Sequence, residues 1–246
     1  MSEDSEGALG FFTAQRENFS QTCAHLGRGA ALADALAAQA CDNYQQNADI
    51  QAEGQPAPAC ARGCDPCCCL QVAATAPEIF HAAHFIRLTS PAFAKHGVDL
   101  AQRLNAVQAR IDGLSQEDRF ASAQACPLVI GGACAVYSAR TLACRGHISF
   151  DRSACKAAAQ GCDVEVTLSA AHKAVRVLVQ GALQAALRDA GLAWGAYEFL
   201  GALDRALKNP DCEALWRQGE DVFADLRLDE PNADAMLPAL DAARAM

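Results

Sequence analysis

The sequence is poor in aromatic residues and carries no excess of positive charge. Aromatic residues make up 6% of the 246 residues, and much of the 52% hydrophobic content is alanine. This composition favours packing of helices through small residues over a β-sandwich. The formal net charge of −9 opposes nonspecific attraction to the phosphates of nucleic acid. We therefore expect a mainly α protein that does not have nucleic acid as a partner.

Long apolar runs are also lacking. Lys173, Arg176 and Arg188 interrupt the longest apolar region, so no stretch reaches the roughly twenty apolar residues that a membrane span needs. The first residues, 1–7, are acidic, whereas a secretory signal starts with a basic segment followed by an apolar one. We expect a soluble, cytoplasmic protein without a membrane partner, in a compartment that keeps thiols reduced.

Cysteine, in contrast, is abundant and unevenly placed. Of thirteen cysteines, five fall within the ten residues from Cys60 to Cys69, a density that packing alone does not require. A disulfide framework fits poorly, because thirteen is odd and three consecutive cysteines cannot satisfy bridge geometry among themselves. The concentration of thiols indicates metal coordination by thiolates instead.

The cysteines divide into candidate ligands and a remainder. A structural zinc or an iron-sulfur cluster takes about four protein ligands per site. A compact first group and a widely spaced second group together give eight thiols, enough for two four-thiolate sites or one multinuclear site. The eight are Cys60, Cys64, Cys67, Cys68, Cys126, Cys134, Cys144 and Cys155. The less clearly organised remainder consists of Cys23, Cys41, Cys69, Cys162 and Cys212.

Cationic and imidazole side chains lie near these cysteines. Buried thiolate charge needs donors and cations nearby, and Arg140 and Arg145 are our candidates for this cofactor-binding role. Arg62 is a further candidate, with simple solvation as its alternative. His81 and His84 share one face of a predicted helix, so both imidazoles can face one ion. The alternative is that they are half-exposed side chains of an amphipathic helix.

The predicted fold class is mainly α with a small irregular or β-hairpin cysteine-rich metal-binding core. Residues 1–50 form an N-terminal helical segment and residues 60–165 the cysteine-cluster metal-binding domain. Helices within 166–228 pack on that domain, and a loose acidic tail follows at 229–246. The stretch 47–59 is polar and contains glycine and two prolines, which predicts a linker.

Local patterns predict the individual elements. Gly131 and Gly132 separate two short apolar runs, which predicts a hairpin with these glycines at its turn. Helical periodicity and capping residues predict helices over six ranges. The first range forms one or two helices, with a break near Gly27 and Gly29. The ranges are 9–44, 78–88 after the cap Thr75, 99–114, 170–190 after the cap Ser169, 196–207 and 212–226.

Two segments resemble a known family. The first is Cys60-x3-Cys64-x2-Cys67-Cys68, and the second runs from Cys126-Pro127-Leu128 through 132–145 to a final Cys155. They are similar to the opening cluster of the YkgJ-like, or CxxCxxCC, zinc- or iron-chelating family. The later part of that family's pattern is Cys-Pro-aliphatic, Cys-x-aliphatic-Tyr-x2-Arg-Pro-x2-Cys-Arg and Cys. The resemblance covers about residues 60–155 and implies the same eight cysteines as ligands.

Two positions depart from the family pattern. Thr141 stands where the family usually has proline, and Cys69 extends the double cysteine to a triple one. The first departure concerns the shape of a turn. The second leaves open which two of the three adjacent thiols face the metal. The resemblance implies zinc or iron without selecting between them.

Four functions stay open on this sequence. The first is an iron-sulfur protein with one or two 4Fe-4S clusters, tuned by Arg140, Arg145 and His147, that transfers electrons or senses oxidants. The second is a structural zinc module that binds a protein partner. The third is a metal-dependent enzyme, because a similar domain is attached to bacterial flagellin lysine methylases; no glycine-rich cofactor loop and no catalytic residue is identified. The fourth is soft-metal handling, which the lack of Met-rich segments disfavours.

We prefer the iron-sulfur protein because of the number of thiols and the wide spacing of the second group. Zinc ribbons and knuckles usually show two compact Cys-x2-4-Cys pairs, and here only the first half is compact. Tyr137 lies within the second segment, where it is either a proton donor or a packed ring with a bonded hydroxyl. The sequence names no substrate.

Overall fold

Helices account for most of the part of the chain that the computed structural model describes, which is residues 3–122 and 124–228. The helices are α1 (Glu3–Leu26), α2 (Leu32–Gln51), α3 (Ala76–Ala94), α4 (Leu100–Ile111), α5 (Gln116–Ala121), α6 (Leu142–Gly146), α7 (Arg152–Ala159), α8 (Ala170–Asp189), α9 (Phe199–Lys208) and α10 (Cys212–Arg217). The strands are β1 (Ala73–Thr75), β2 (Val129–Ile130), β3 (Ala133–Cys134) and β4 (Ala196–Glu198). The predicted mainly α class is confirmed. The predicted acidic tail lies outside the described residues.

One cluster of buried side chains holds the long helices together. Helix α8 packs against α1 and α2, and α3 packs against both α2 and α9. The few large aromatic side chains are concentrated here, with the Phe80 ring centre 5.5 Å from that of Trp216 and 5.4 Å from that of Phe223. Buried alanines such as Ala33 and Ala40 fill the helix contacts. Within the described residues, no helix is long and apolar enough to cross a bilayer.

The N-terminal pattern produces two helices with a break at Gly27. This glycine has a φ of 56° and donates its N–H to the Cys23 carbonyl at 2.9 Å, which ends α1 with a left-handed residue. Helix α2 continues to Gln51, so the first part of the predicted linker is wrong. The buried side chains of Tyr44 and Ala48 explain this extension, because they keep that turn packed on the core.

Thr75 begins α3 as predicted, and its cap connects the helical core to the second cysteine segment. Glu78 accepts hydrogen bonds from the Thr75 backbone N–H at 2.8 Å and from its hydroxyl at 2.7 Å. Its other carboxylate oxygen accepts the Leu142 N–H at 2.7 Å. The helix continues beyond the predicted end at Leu88, through Pro91 to Ala94. Glu78 therefore fixes the start of α6 against the start of α3.

Among the remaining helices, the predicted starts are correct where a capping residue directly precedes the helix. Ser169 caps α8 by accepting the His172 N–H, and Asp99 caps α4. The predicted helix over 196–207 is wrong at its start, because Ala196–Glu198 forms β4, antiparallel to β1. The predicted helix over 212–226 ends at Arg217, followed by Gly219 at a φ of 101°.

Helices α6 and α8 are in close contact at Gly146. A Cβ built there lies 2.8 Å from both Cβ and Cδ of Arg176. We expect Gly146→Ala to lower the free energy of unfolding by about 1–3 kcal/mol, because this contact leaves no room for a methyl group. Gly10→Ala is the matched control. Gly10 is exposed in α1, and nothing lies within 4 Å of a Cβ added there.

The control is expected to stabilise the protein by about 0.5–1 kcal/mol, because alanine has the higher helix propensity. Urea unfolding of the two variants and the parent protein measures both effects. Equal effects of the two substitutions would contradict the close approach of α6 to α8.

Candidate functional site

Six of the eight candidate ligands line one cavity of about 120 Å³. The six are Cys64, Cys67, Cys68, Cys126, Cys134 and Cys144. They come from the compact first segment, from the residues around the β2–β3 hairpin and from α6. The fold thus brings thiols from distant parts of the chain to the walls of one space.

Tight turns shape the first segment. The Cys64 N–H donates to the Ala61 carbonyl at 3.0 Å, and the Cys68 N–H donates to the Asp65 carbonyl at 2.9 Å. Gly63, within the first of these turns, has a φ of 90°, a conformation that favours glycine. Cys64, Cys67 and Cys68 of this segment line the cavity.

The β2–β3 hairpin brings the second group to the first. As predicted, Gly131 and Gly132 form its turn, with φ values of 56° and 78°, and Val129 pairs with Cys134. The Cys126 N–H donates to the Cys68 carbonyl at 2.6 Å. This backbone hydrogen bond joins the two cysteine segments directly.

Thr141 positions Cys144 at the start of α6. Its hydroxyl oxygen accepts the Cys144 N–H at 3.3 Å, and its φ of −64° is also the value that proline requires. Thr141 therefore has a φ that proline could also adopt, and its hydroxyl adds a cap to α6. Burial raises the pKa of the Cys144 thiol to about 11, and the hydrogen bond with Thr141 opposes that rise.

Cys60 and Cys155 are not among the residues that line the cavity. The Ser149 N–H donates to the Cys60 Sγ at 3.3 Å, and the Ser149 carbonyl accepts the Ala59 N–H at 2.9 Å. Burial raises the pKa of Cys60, the Ser149 N–H opposes this, and nearby thiols including Cys155 raise it further. The two cysteines therefore lie in a shared neighbourhood beside the cavity.

Backbone N–H groups also serve two of the cavity thiols. Leu128 donates to the thiol of Cys126 and Val136 to that of Cys134, so each donor follows its cysteine by two residues. Burial raises the pKa of Cys126 to about 12 and also raises that of Cys134, while these N–H donors oppose the rise. Such donors stabilise a thiolate once a metal has replaced its proton.

The three consecutive cysteines have different surroundings. The thiols of Cys67 and Cys68 share a hydrogen bond, which lowers the pKa of Cys67 and raises that of Cys68. Cys69 is buried and points elsewhere, since its Sγ–H donates to the Pro66 carbonyl at 3.3 Å. Cys67 and Cys68 line the cavity and Cys69 does not.

The two predicted arginines have different roles. The Arg140 guanidinium lies 3.8 Å from the centre of the Tyr137 ring, and both residues line the cavity. Burial raises the pKa of Cys134, and the charge of Arg140 opposes that rise. Arg145 instead donates to the backbone carbonyls of Arg140 at 3.0 Å and of Ser138 at 2.6 Å. The charges of Arg140 and Arg145 both oppose the rise in the pKa of Cys134, and Arg145 also holds the turn that carries Arg140.

Arg119 is a cavity residue that the sequence did not reveal. It comes from α5, and its Nη1 donates to the Glu198 Oε1 at 2.7 Å. Only 5% of the Arg119 side chain and 12% of the Glu198 side chain are exposed. Arg119 lines the cavity, and its charge opposes the rise in the pKa of Cys126 that burial causes. No local signal marks it, because α5 is short and lies outside the cysteine pattern.

His81 and His84 face carboxylates of other helices. The Asp34 carboxylate accepts hydrogen bonds from both rings, at 2.8 Å from the His81 Nδ1 and 3.0 Å from the His84 Nδ1. The His84 Nε2 lies 2.8 Å from Glu213. Neither histidine lines the thiol cavity, whereas His147 does, and burial lowers the pKa of His147.

His84 gives a pH-dependent contribution to stability. The hydrogen bond with Glu213 raises its pKa, burial opposes this, and Asp34 raises it further. Because the folded pKa exceeds the unfolded value of about 6.5, the stabilisation is present below that pH and is lost as pH rises through the folded pKa. We expect His84→Gln to cost up to about 1 kcal/mol at about pH 5.5 and less at about pH 8.5.

Urea unfolding of His84→Gln and the parent protein at both pH values measures this difference. A cost that is the same at both pH values would show that protonation of His84 is not coupled to folding.

The other cysteines have separate places. Cys23 and Cys212 are buried in the helical core, Cys41 is partly buried beside α6, and Cys162 is exposed. All thirteen cysteines are free thiols in the structure. Across residues 3–122 and 124–228, no group of three or more His, Cys, Asp or Glu side chains is arranged to hold a metal ion. Six of the described thiols therefore line one cavity, but no three of them are arranged around a single ion position.

Comparison of the chain with protein-family models, curated proteins and solved structures gave no significant match. The resemblance to the YkgJ-like family therefore depends on the two cysteine segments alone.

Proposed function

We propose that the chain is a metal-binding cysteine-cluster protein. Its eight thiolates hold one or two iron-sulfur clusters of the 4Fe-4S type, and these clusters give it a redox or cluster-dependent role. The proposal depends chiefly on one observation: six of the eight candidate ligands line a single cavity, although they span residues 64–144 of the chain. Packing does not require thiols from three separate segments to converge in this way.

The surroundings of the thiols suit such a cofactor. Cysteine thiolates are the usual ligands of iron-sulfur clusters, and hydrogen bonds to sulfur and nearby charge set the cluster potential. Backbone N–H groups of Leu128, Val136 and Ser149 already donate to thiols of the set. Arg119 and Arg140 line the cavity and supply the positive charge that several thiolates require.

The size of the cavity favours a multi-atom group over one ion. In a closed zinc site four ligands surround the ion at about 2.3 Å for sulfur, which leaves no space between them. Here the thiols border about 120 Å³, and a volume of only about 10–15 Å³ is enough for one water molecule. A cluster of metal and sulfide fills such a space better than a single ion.

A structural zinc module is the second candidate, because the elements of the cysteine segments are short. Strands β2 and β3 have two residues each and α6 has five, so they bury little apolar surface of their own. A metal that joins such segments contributes directly to folding. Either metal fits a reducing compartment such as the cytoplasm, which keeps cysteines available as ligands.

Anaerobic purification followed by elemental analysis tests the proposal. Iron, zinc, copper and acid-labile sulfide are measured on one sample together with its absorption spectrum. Iron with matching sulfide and a brown chromophore is the expected result. Colourless protein with stoichiometric zinc would favour the second candidate, and protein without any bound metal would contradict both.

Variants of single cysteines test the ligand assignment. We expect Cys64→Ser and Cys144→Ser each to lower the metal content and to destabilise the fold, because both side chains line the cavity. Cys23→Ser is the matched control: this thiol is buried in the helical core and should leave the metal content unchanged. If both cavity variants retain full metal, the assignment is wrong.

A further inference from the structure

Arg119 carries a buried hydrogen-bond donor that has no partner within the described part of the chain. Its Nη1 donates to the Glu198 Oε1 at 2.7 Å, but its Nε is buried and has no acceptor. Only 5% of the Arg119 side chain is exposed. Buried donors are nearly always paired, and a charged donor that is left unpaired is especially unfavourable. The Nε–H of Arg119 therefore requires an acceptor that the described residues do not provide.

The ion pair of Arg119 lies at the wall of the thiol cavity. Both oxygens of Glu198 already have donors, because Oε1 accepts from Arg119 and Oε2 accepts the Gly201 N–H at 2.6 Å. Arg119 lines the cavity, as do Phe199 and Leu200, which directly follow Glu198. A group that fills the cavity is therefore placed to supply the acceptor that Arg119 lacks.

A second guanidinium in the cavity wall also has donors to spare. The Nε of Arg140 donates to the Tyr137 carbonyl at 3.2 Å, and its guanidinium lies 3.8 Å from the centre of the Tyr137 ring. Among the described residues, no carboxylate forms an ion pair with Arg140. Asp65 belongs to the same lining, but it is exposed. Guanidinium donors at two places in the wall suit an occupant with anionic acceptor atoms.

We propose that Arg119 is a ligand-binding residue of the cavity, whose Nε–H donates to an anionic acceptor atom of the group that occupies it. Two sources have this chemistry. One is a sulfur atom of the proposed metal centre, and in this form the inference rests on the proposed function. The other is a small oxyanion such as phosphate or sulfate. The six thiols that share the cavity favour the first source.

Arg119→Lys tests the first source. Lysine keeps the positive charge beside Glu198 but has no equivalent of the Nε–H. We expect the variant to hold metal about 10–100-fold less tightly than the parent protein, which is the usual loss when a partner of a metal ligand is removed. Transfer of metal to a chelator measures this change. A purely structural role of Arg119 would instead lower the stability of loaded and metal-free protein equally and leave the metal affinity unchanged.

Arg205→Lys is the matched control for this substitution. Arg205 also pairs with a carboxylate, that of Asp225 at 2.6 Å, but it is not among the residues that line the cavity. We expect it to hold metal as tightly as the parent protein does. An equal loss of metal affinity in both variants would overturn the assignment to Arg119.

Metal-free protein tests the second source. Phosphate or sulfate should then raise the unfolding temperature of the parent protein and of Arg205→Lys, but not that of Arg119→Lys, because a ligand that binds the folded state stabilises it. Sodium chloride at equal ionic strength is the control for screening of charge.

A measurement on the parent protein keeps the test valid if Arg119→Lys does not fold. Hydrogen exchange of the Arg119 Nε–H, followed by proton–nitrogen NMR, should slow when zinc, as a diamagnetic metal, or one of the two oxyanions occupies the cavity. Unchanged metal affinity, no stabilisation by either oxyanion and no slowing of this exchange would together overturn the inference. Parent protein that binds no metal would contradict the proposed function, and the measurements with phosphate and sulfate would then decide the role of Arg119.

Discussion

Removal of the proposed metal is expected to unfold the two cysteine segments while the long helices stay folded. The segments contain strands of two residues and a five-residue helix, so they have few hydrogen bonds of regular structure, and only Leu128, Val136, Ala139 and Leu142 of these segments belong to the buried core. Metal binding contributes roughly 10–16 kcal/mol in small structural zinc sites, which is folding free energy there. The packing of α8 against α1 and α2, in contrast, depends on buried apolar side chains.

Hydrogen exchange of loaded and metal-stripped protein measures this effect residue by residue. The amides of Cys126, Ala135 and Ser149 donate within or between the cysteine segments and should lose most of their protection. Amides near Val179 and Leu183 in the buried face of α8 serve as the internal control and should keep theirs. Equal loss in both regions, or no loss in either, would contradict a local stabilising role of the metal.

Glu198→Gln is expected to lower the free energy of unfolding by about 3–5 kcal/mol. The substitution leaves the buried guanidinium of Arg119 without its carboxylate partner at 2.7 Å. It also weakens the cap of α9, where the other carboxylate oxygen accepts the Gly201 N–H at 2.6 Å. An unpaired buried charge is costly because the protein interior solvates it poorly.

An exposed ion pair provides the matched control for this substitution. Arg205 contacts Asp225 at 2.6 Å, but 66% of the Asp225 side chain is exposed. We expect Asp225→Asn to cost less than about 1 kcal/mol, since water replaces much of the lost interaction. Urea unfolding of metal-loaded protein measures both variants. A similar small cost for both would show that the Arg119–Glu198 pair does not behave as a buried one.

Local signals in the sequence predicted the elements that depend on neighbouring residues. The capping residues Thr75 and Ser169 and the turn at Gly131 and Gly132 act within a few positions, so their effects are visible without the fold. Strand β4 was missed because its pairing with β1 joins residues 73–75 to residues 196–198. Strands of three wholly buried residues show no alternation that a sequence pattern can reveal.

In the candidate site, too, the features set by nearby residues could be predicted from the sequence, and those set by distant residues could not. Spacing and the family resemblance selected the eight cysteines, and the fold gathers six of them at one cavity. Arg119 could not be predicted, because its role comes from an ion pair with a residue 79 positions away. For His81 and His84 the shared helix face was visible, but their partners Asp34 and Glu213 come from other helices.

X-ray absorption spectroscopy of the anaerobically purified protein, at the absorption edge of the metal found in it, tests whether the cysteine thiolates are the ligands. We expect a first coordination shell made of sulfur alone, at about 2.3 Å if the metal is zinc, and metal-to-metal scattering in addition if it is an iron-sulfur cluster. A first shell dominated by nitrogen or oxygen, or a sample without bound metal, would contradict coordination by the eight thiolates.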